Sequence, residues 1–152
     1  MYQPISIETE QFSAEYDSNN HLLVVAYHGV LTPAVTKEFY AWLMQAMTDY
    51  PKQVQQARGS VYDFCNVTEF ANSNLTTASN QSKQLNQIND LKDHPVALIV
   101  KGKLQQQLLN VSMKLTPHDK RVRVVWSMNE AIEHVNAFHK QYAKEMAESI
   151  EE

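Results

Sequence analysis

Cys65 is the only thiol in this 152-residue chain, and it stands two residues after Asp63 at the end of an apolar run. A thiolate beside an imidazole is a nucleophile. His28 closes an earlier apolar run, so the two side chains could meet if the runs are neighbouring strands. The plainer reading, which we favour, is that a lone cysteine at a strand end is a small buried apolar residue. Metal chemistry has less support. None of the six histidines forms a His-x-x-x-His pair, and Glu130 with His134, four apart, lacks two further ligands. Gly29, Gly59 and Gly102 stand alone, so no glycine-rich loop offers its backbone to a diphosphate. No catalytic group, metal or cofactor is expected.

The densest polar stretch is 63–74, where Asp63, Asn66, Thr68, Glu69, Asn72, Ser73 and Asn74 crowd an expected strand-to-helix junction. We read it as a loop. Amides exposed at a helix start would favour an anion. Short polar side chains also cap helices and form turns, and that role is the commoner one. Asp63, Asn66, Thr68, Asn72, Ser73 and Asn74 are therefore the expected ligand or partner loop. Separately, Trp42 and Met47 on the first helix, with Met113 and Trp126, could line a cavity for an apolar molecule. Ordinary core packing is the competing account.

Composition bounds the alternatives. The net charge is −4, 43% of residues are hydrophobic and 20% are charged, as in an ordinary globular domain. One cysteine cannot form a disulfide within the chain. The longest uninterrupted apolar run, 22–27, is far shorter than the ~20 residues a bilayer requires, so no transmembrane segment is expected. The first residues show no basic start followed by an apolar stretch, so a cytoplasmic location is expected. Charge is uneven: 101–126 carries six bases and one acid, and 127–152 carries two bases and six acids. The basic segment could hold phosphates. The acidic whole-chain pI of about 5.8 lacks the footprint of a nucleic-acid binder, and no nucleic acid is expected as partner.

These residues need elements to position them. Alternation predicts a weak strand over 12–17, and 22–27 is apolar on both faces, as in a strand buried on both sides. Thr32-Pro33 is a helix start, and Val35, Phe39, Trp42, Ala46 and Tyr50 recur on one helical face before Pro51. Further strands are predicted over 61–65, 96–100 and 122–126, and helices from about 74 to 93 and from 104 to 115. Ser127-Met128-Asn129-Glu130 is a capping box opening a last helix. The order predicts one α/β domain over 1–152: a core over about 12–143 and a frayed acidic tail over 144–152. Its sheet is mostly parallel, four- to five-stranded, built from successive β-α units, with the N-terminal strand antiparallel and the helices packed mainly on one face. Runs 22–27 and 96–100 are expected side by side and parallel. Ligands are expected beyond the carboxyl ends of the strands.

The motifs, taken in order, resemble a SpoIIAA-like (STAS-like) domain, the fold of anti-sigma factor antagonists. Leu23-Val24-Val25-Ala26-Tyr27-His28-Gly29-Val30-Leu31-Thr32 runs from strand through Gly-x-Leu-Thr into a helix. Val61-Tyr62-Asp63-Phe64 is a strand ending in Asp and an apolar residue. Pro95-Val96-Ala97-Leu98-Ile99-Val100 and Val124-Val125-Trp126-Ser127, with Glu130-Ala131-Ile132, complete the pattern over roughly 12–143.

The resemblance implies a regulatory module that docks onto proteins. The family's switch is a phosphorylatable Ser preceded by Asp at the start of the helix after the Asp-ending strand. Here that register holds Ala71-Asn72, and a one-residue slip brings up Ser73 preceded by Asn72, so Ser73 is the implied phosphorylation position. Some relatives of the fold bind apolar or lipid-like ligands between helices and sheet. Expected partners are thus another protein, or a small apolar ligand for a carrier or sensor. The last helix, at ~1.5 Å per residue, reaches about the width of a small domain, and a homodimer is expected through it.

Overall fold

A computed structural model describes residues 5–71, 94–103 and 121–151. Chain order is β1 (Ser6–Glu8), β2 (Phe12–Asp17), β3 (Leu22–Leu31), α1 (Pro33–Asp49), α2 (Pro51–Gln55), β4 (Gly59–Phe70), β5 (Val96–Ile99), β6 (Val122–Val125) and α3 (Met128–Glu151). The six strands form one sheet in sequence order. β1–β2 and β2–β3 pair antiparallel, and β3–β4, β4–β5 and β5–β6 pair parallel. The architecture is the mixed α/β one expected. Six strands replace the four to five predicted, because β1 spans only three residues, too few to show a period. Runs 22–27 and 96–100 do point the same way, but β4 lies between them, so they are not side by side.

β2 and β3 are joined by the turn signalled at 17–20. Asp17 Oδ1 accepts the Asn19 amide at 2.9 Å, and Oδ2 accepts the Asn20 side-chain amide at 2.9 Å. Those bonds, the Asn20 side chain first, hold the Asp17 carboxyl below its ordinary pKa.

α1 begins where Thr32 Oγ1 accepts the Val35 amide at 3.3 Å, with Pro33 at the first helical position. On its buried face Val35, Phe39 and Leu43 pack with Phe12, Val25 and Tyr27, and Ala46 packs with Ile5 and Tyr16. Phe39 is fully buried and meets the Phe12 ring edge-on, 6.0 Å between centroids. Truncating such a ring to alanine costs about 3–5 kcal/mol.

Alternation along β3 sends Leu23, Val25 and Tyr27 toward α1 and Leu22 and Val24 to the other face. There Val61, Ala97, Ile99 and Val125 pack with Ala131 and Val135 of α3. α1 is a crossover between parallel strands, whereas α3 follows the last strand and covers the opposite face. α3 opens at its capping box: Ser127 Oγ accepts the Glu130 amide at 3.2 Å, while Glu130 Oε2 accepts the Trp126 amide, one residue before the cap, at 2.6 Å. The buried His134 donates from Nε2 to the Arg121 carbonyl at 2.8 Å, which satisfies it inside that core. The expected frayed tail is instead helical through Glu151, with its side chains exposed from Ala143 to Ile150.

Stretch 63–70 is not a loop. β4 runs on through Phe70, pairing Asn66 with His28, Val67 with Gly29 and Glu69 with Val30. Polar composition hid this strand because Asn66, Thr68 and Glu69 in its extension are exposed, while Val67 is buried. Two register shifts interrupt it. Phe64 and Cys65 together face Tyr27 alone, and Thr68 is an extra residue beside Gly29, whose φ of 72° only glycine adopts freely.

Candidate functional site

Register creates the site. Leu23 pairs with Ser60, and Ser60 pairs with Val96, so one row of side chains crosses the sheet at the amino ends of β3, β4 and β5. Over that row α1 lays Trp42, Leu43, Ala46 and Met47, successive turns of one helical face. The two layers do not close completely. They leave a cavity of about 130 Å³, which Val54 of α2 and Tyr16 of β2 also line. Its position, at the amino ends of the parallel strands, is the reverse of the expected one.

The cavity walls are mostly apolar, with a polar cluster at one side. Ser60 Oγ lies 2.7 Å from His94 Nε2, and Ser60 is buried. Arg121 also lines the space, and no Asp or Glu is among its described lining residues. Burial pushes the Tyr40 hydroxyl up to about 12 and Tyr62 well above its ordinary value, so both are neutral phenols at physiological pH. Sequence reasoning missed Ser60 and His94. Each precedes an apolar run, and only the β4–β5 register brings them together.

A Ser–His contact is one half of a nucleophilic pair. Here the Ser60 amide is committed to the Pro95 carbonyl at 3.0 Å and the next amides lie within a strand. Ser60 is thus placed as a wall residue of a regular strand and not at an exposed turn with amides aimed at a reacting oxygen.

Cys65 and His28 are not joined by any hydrogen bond among the described contacts. Cys65 is half-buried beside the α3-side core, and His28 is exposed. Burial first, and then the neighbouring Asp63 carboxyl, push the Cys65 thiol up to about 11. A thiol with so high a pKa carries almost no thiolate at neutral pH. Glu130 and His134 are likewise engaged separately, in the helix cap and with the Arg121 carbonyl. Among the described residues no group of three or more His, Cys, Asp or Glu could hold a metal ion.

No protein-family model matches the sequence, and no curated protein does. Solved structures do match. An uncharacterised DUF3478-family protein with a SpoIIAA-like fold from Shewanella loihica superposes with a TM-score of 0.53 at 15% identity, over 89% of this chain and 97% of that one. The anti-sigma factor antagonist SpoIIAA in its unphosphorylated form gives 0.54 at 12% identity, over 82% and 97%. A putative anti-sigma factor antagonist from Thermotoga maritima gives 0.55 at 14% identity, over 82% and 94%. This chain has a SpoIIAA-like fold.

Within the SpoIIAA-like fold the residues singled out by sequence fall in three places. Asp63, Asn66 and Thr68 lie along β4, Asp63 half-buried and the other two exposed. Trp42 and Met47 line the cavity. Trp126 does not: it is 50% exposed, beyond the carboxyl end of β6 and away from the cavity. Asn72, Ser73, Asn74 and Met113, with the helices expected at 74–93 and 104–115, lie outside the described residues. Among the described residues, no helix of the SpoIIAA-like domain is long and apolar enough to cross a membrane.

Proposed function

We propose that this chain is a non-catalytic regulatory module that acts by docking onto protein, a second copy of itself included. The observation that carries the reading is the free half of α3. The helix is anchored to the sheet as far as His139, whose Nε2 donates to the Arg58 carbonyl at 2.6 Å. Beyond that point Met146 is 48% exposed and Ile150 is 80% exposed. With Phe138 and Tyr142 they recur every four residues, an apolar stripe on one helical face. Lys140 and Lys144 adjoin Glu145 and Glu148, so two copies laid antiparallel set base against acid. The likeness of the fold to anti-sigma factor antagonists supports the same reading, and the polar stretch of sequence that follows β4, with Ser73, is the further proposed partner surface. Light scattering on the full chain tests it. The expected result is a dimer that becomes a monomer in the double variant Met146→Glu, Ile150→Glu. A monomeric wild type at micromolar concentration removes the self-docking part.

The cavity favours a second reading, a carrier or sensor of a small apolar molecule. Its volume of about 130 Å³ is close to the roughly 150 Å³ of an engineered apolar cavity that binds benzene. That space suits one ring or a short branched chain and not a long acyl tail. Titration with toluene tests it: binding lost on filling the space with Met47→Trp supports the reading, and no binding by wild type refutes it.

A further inference from the structure

The described residues lining the cavity carry four hydroxyls, and three of them are engaged. The Tyr16 hydroxyl lies 2.9 Å from His21 Nδ1, and Ser60 Oγ lies 2.7 Å from His94 Nε2. Ser60 also draws the Tyr62 phenol back down against the effect of burial, as a hydrogen-bonding neighbour does. Tyr40 is the fourth. It precedes Leu43 and Met47 by three and seven residues, on the α1 face that roofs the cavity. Its ring is fixed edge-on against Phe39, 5.1 Å between centroids. Among the described residues no group shares a hydrogen bond with its hydroxyl, and burial is the sole cause that pushes it up to about 12. The phenol therefore keeps its proton. A buried donor ordinarily meets an acceptor, and the described protein side of this wall supplies none.

Resting on the carrier reading above, we infer that the cavity takes a small ketone or aldehyde with an apolar body the size of one ring, its carbonyl oxygen accepting the Tyr40 hydroxyl. The ring fills the space between α1 and the sheet. Two physical arguments select this class. The volume, about 130 Å³, sets the size of the body. The uncommitted phenol sets the head. A phenol is a good donor and a poor acceptor, because its lone pair is drawn into the ring. A hydroxyl head would bring a proton of its own, and the Tyr16 and Ser60 hydroxyls are already bonded to histidines. A carbonyl oxygen only accepts. Tyr40 supplies one hydrogen, the complement of one neutral carbonyl, whereas an ionised head at an apolar wall calls for several donors.

Titration of the full chain with cyclohexanone, cyclohexanol and toluene, followed by amide chemical shifts, tests the assignment. The three probes match in size and differ in what they offer the phenol. Wild type is expected to bind cyclohexanone at least fivefold more tightly than cyclohexanol. Tyr40→Phe removes the hydroxyl and keeps the ring against Phe39. It is expected to weaken cyclohexanone at least fivefold, the worth of about one neutral hydrogen bond, and to leave toluene within twofold. Tyr62→Phe, whose hydroxyl is directed to Ser60, is expected to leave cyclohexanone within twofold. Cyclohexanol bound as tightly as cyclohexanone, or toluene bound without cyclohexanone, overturns the head-group assignment while the carrier reading stands. So does Tyr40→Phe with cyclohexanone unchanged, or with both probes weakened equally. If wild type does not bind toluene, the carrier reading itself fails.

Discussion

The Asp63 carboxylate holds the Cys65 amide, Oδ1 to N, at 2.9 Å across the point where two residues of β4 face one of β3. A bulge frees an amide from the ladder, and a buried amide left without a partner costs about 1–3 kcal/mol. Asp63 therefore explains its own presence inside a strand. Asp63→Ala is expected to destabilise the fold by about 1–3 kcal/mol, read from urea unfolding. Asp63→Asn keeps an oxygen acceptor and removes the charge, so it should lose less than half as much. Equal losses in the two variants would show that the charge, and not the hydrogen bond, stabilises the bulge.

The same contact sets the reactivity of the thiol. Burial and Asp63 raise the Cys65 pKa to about 11. Alkylation at neutral pH should be slow, and Asp63→Asn should shift the midpoint of its pH profile downward by removing the carboxylate's contribution. An unshifted profile would leave burial as the whole cause.

Alkaline pH should unfold the domain from several groups at once. Burial raises Tyr40 to about 12, Tyr27 and Tyr62 well above their ordinary value of 10.0, and Cys65 to about 11 from 9.0. In each case the unfolded chain loses its proton first, so the folded state binds more protons in that window, and stability falls as pH rises. The loss begins near pH 9 with the thiol and steepens above pH 10 with the phenols. The urea midpoint is expected to drop between about pH 8 and about pH 11, with tyrosinate absorbance appearing together with unfolding. Cys65→Ala should remove the earliest part of the decline. A midpoint constant over that interval would contradict the burial of these side chains.

Gly59 opens β4 with no room for a side chain. A methyl group there would meet the Pro95 carbonyl oxygen at 2.9 Å and Val135 Cγ2 at 3.0 Å. Gly59→Ala is expected to cost about 1–3 kcal/mol by thermal or urea unfolding, through displacement of the strand that follows Pro95. Trimming the neighbour as well, in Gly59→Ala with Val135→Ala, should not restore stability, because the closer obstacle is backbone. Recovery in the double variant would place the conflict with α3 instead.

Legibility followed the period of each segment. The run Leu22 to Tyr27 and the face Val35, Phe39, Ala46 announced β3 and α1 because burial there is regular. The second half of β4 did not announce itself. Asn66, Thr68 and Glu69 are exposed, bulges break their alternation, and their strand character comes from pairing with His28 to Leu31, which is tertiary. The cavity was half legible for the same reason. Trp42 and Met47 are large apolar residues of one helix that sequence displays, whereas Ser60 and His94 meet only through the register of two strands distant in the chain.

The capping box of α3 offers a test of how far local signals carry stability. Ser127 Oγ takes the Glu130 amide at 3.2 Å, and Glu130 Oε2 takes the Trp126 amide just before the cap at 2.6 Å, so each side chain satisfies one amide around the helix start. α3 also supplies Ala131 and Val135 to one face of the core, directly downstream of the cap. Ser127→Ala is expected to cost about 1 kcal/mol, and Glu130→Gln, which keeps the acceptor, less. Because the cap precedes the anchored half of the helix, the loss should appear in global unfolding by urea and not only as fraying. A loss confined to amide exchange at the helix start, with the urea midpoint unchanged, would mean that packing of Ala131 and Val135 holds the helix without its cap.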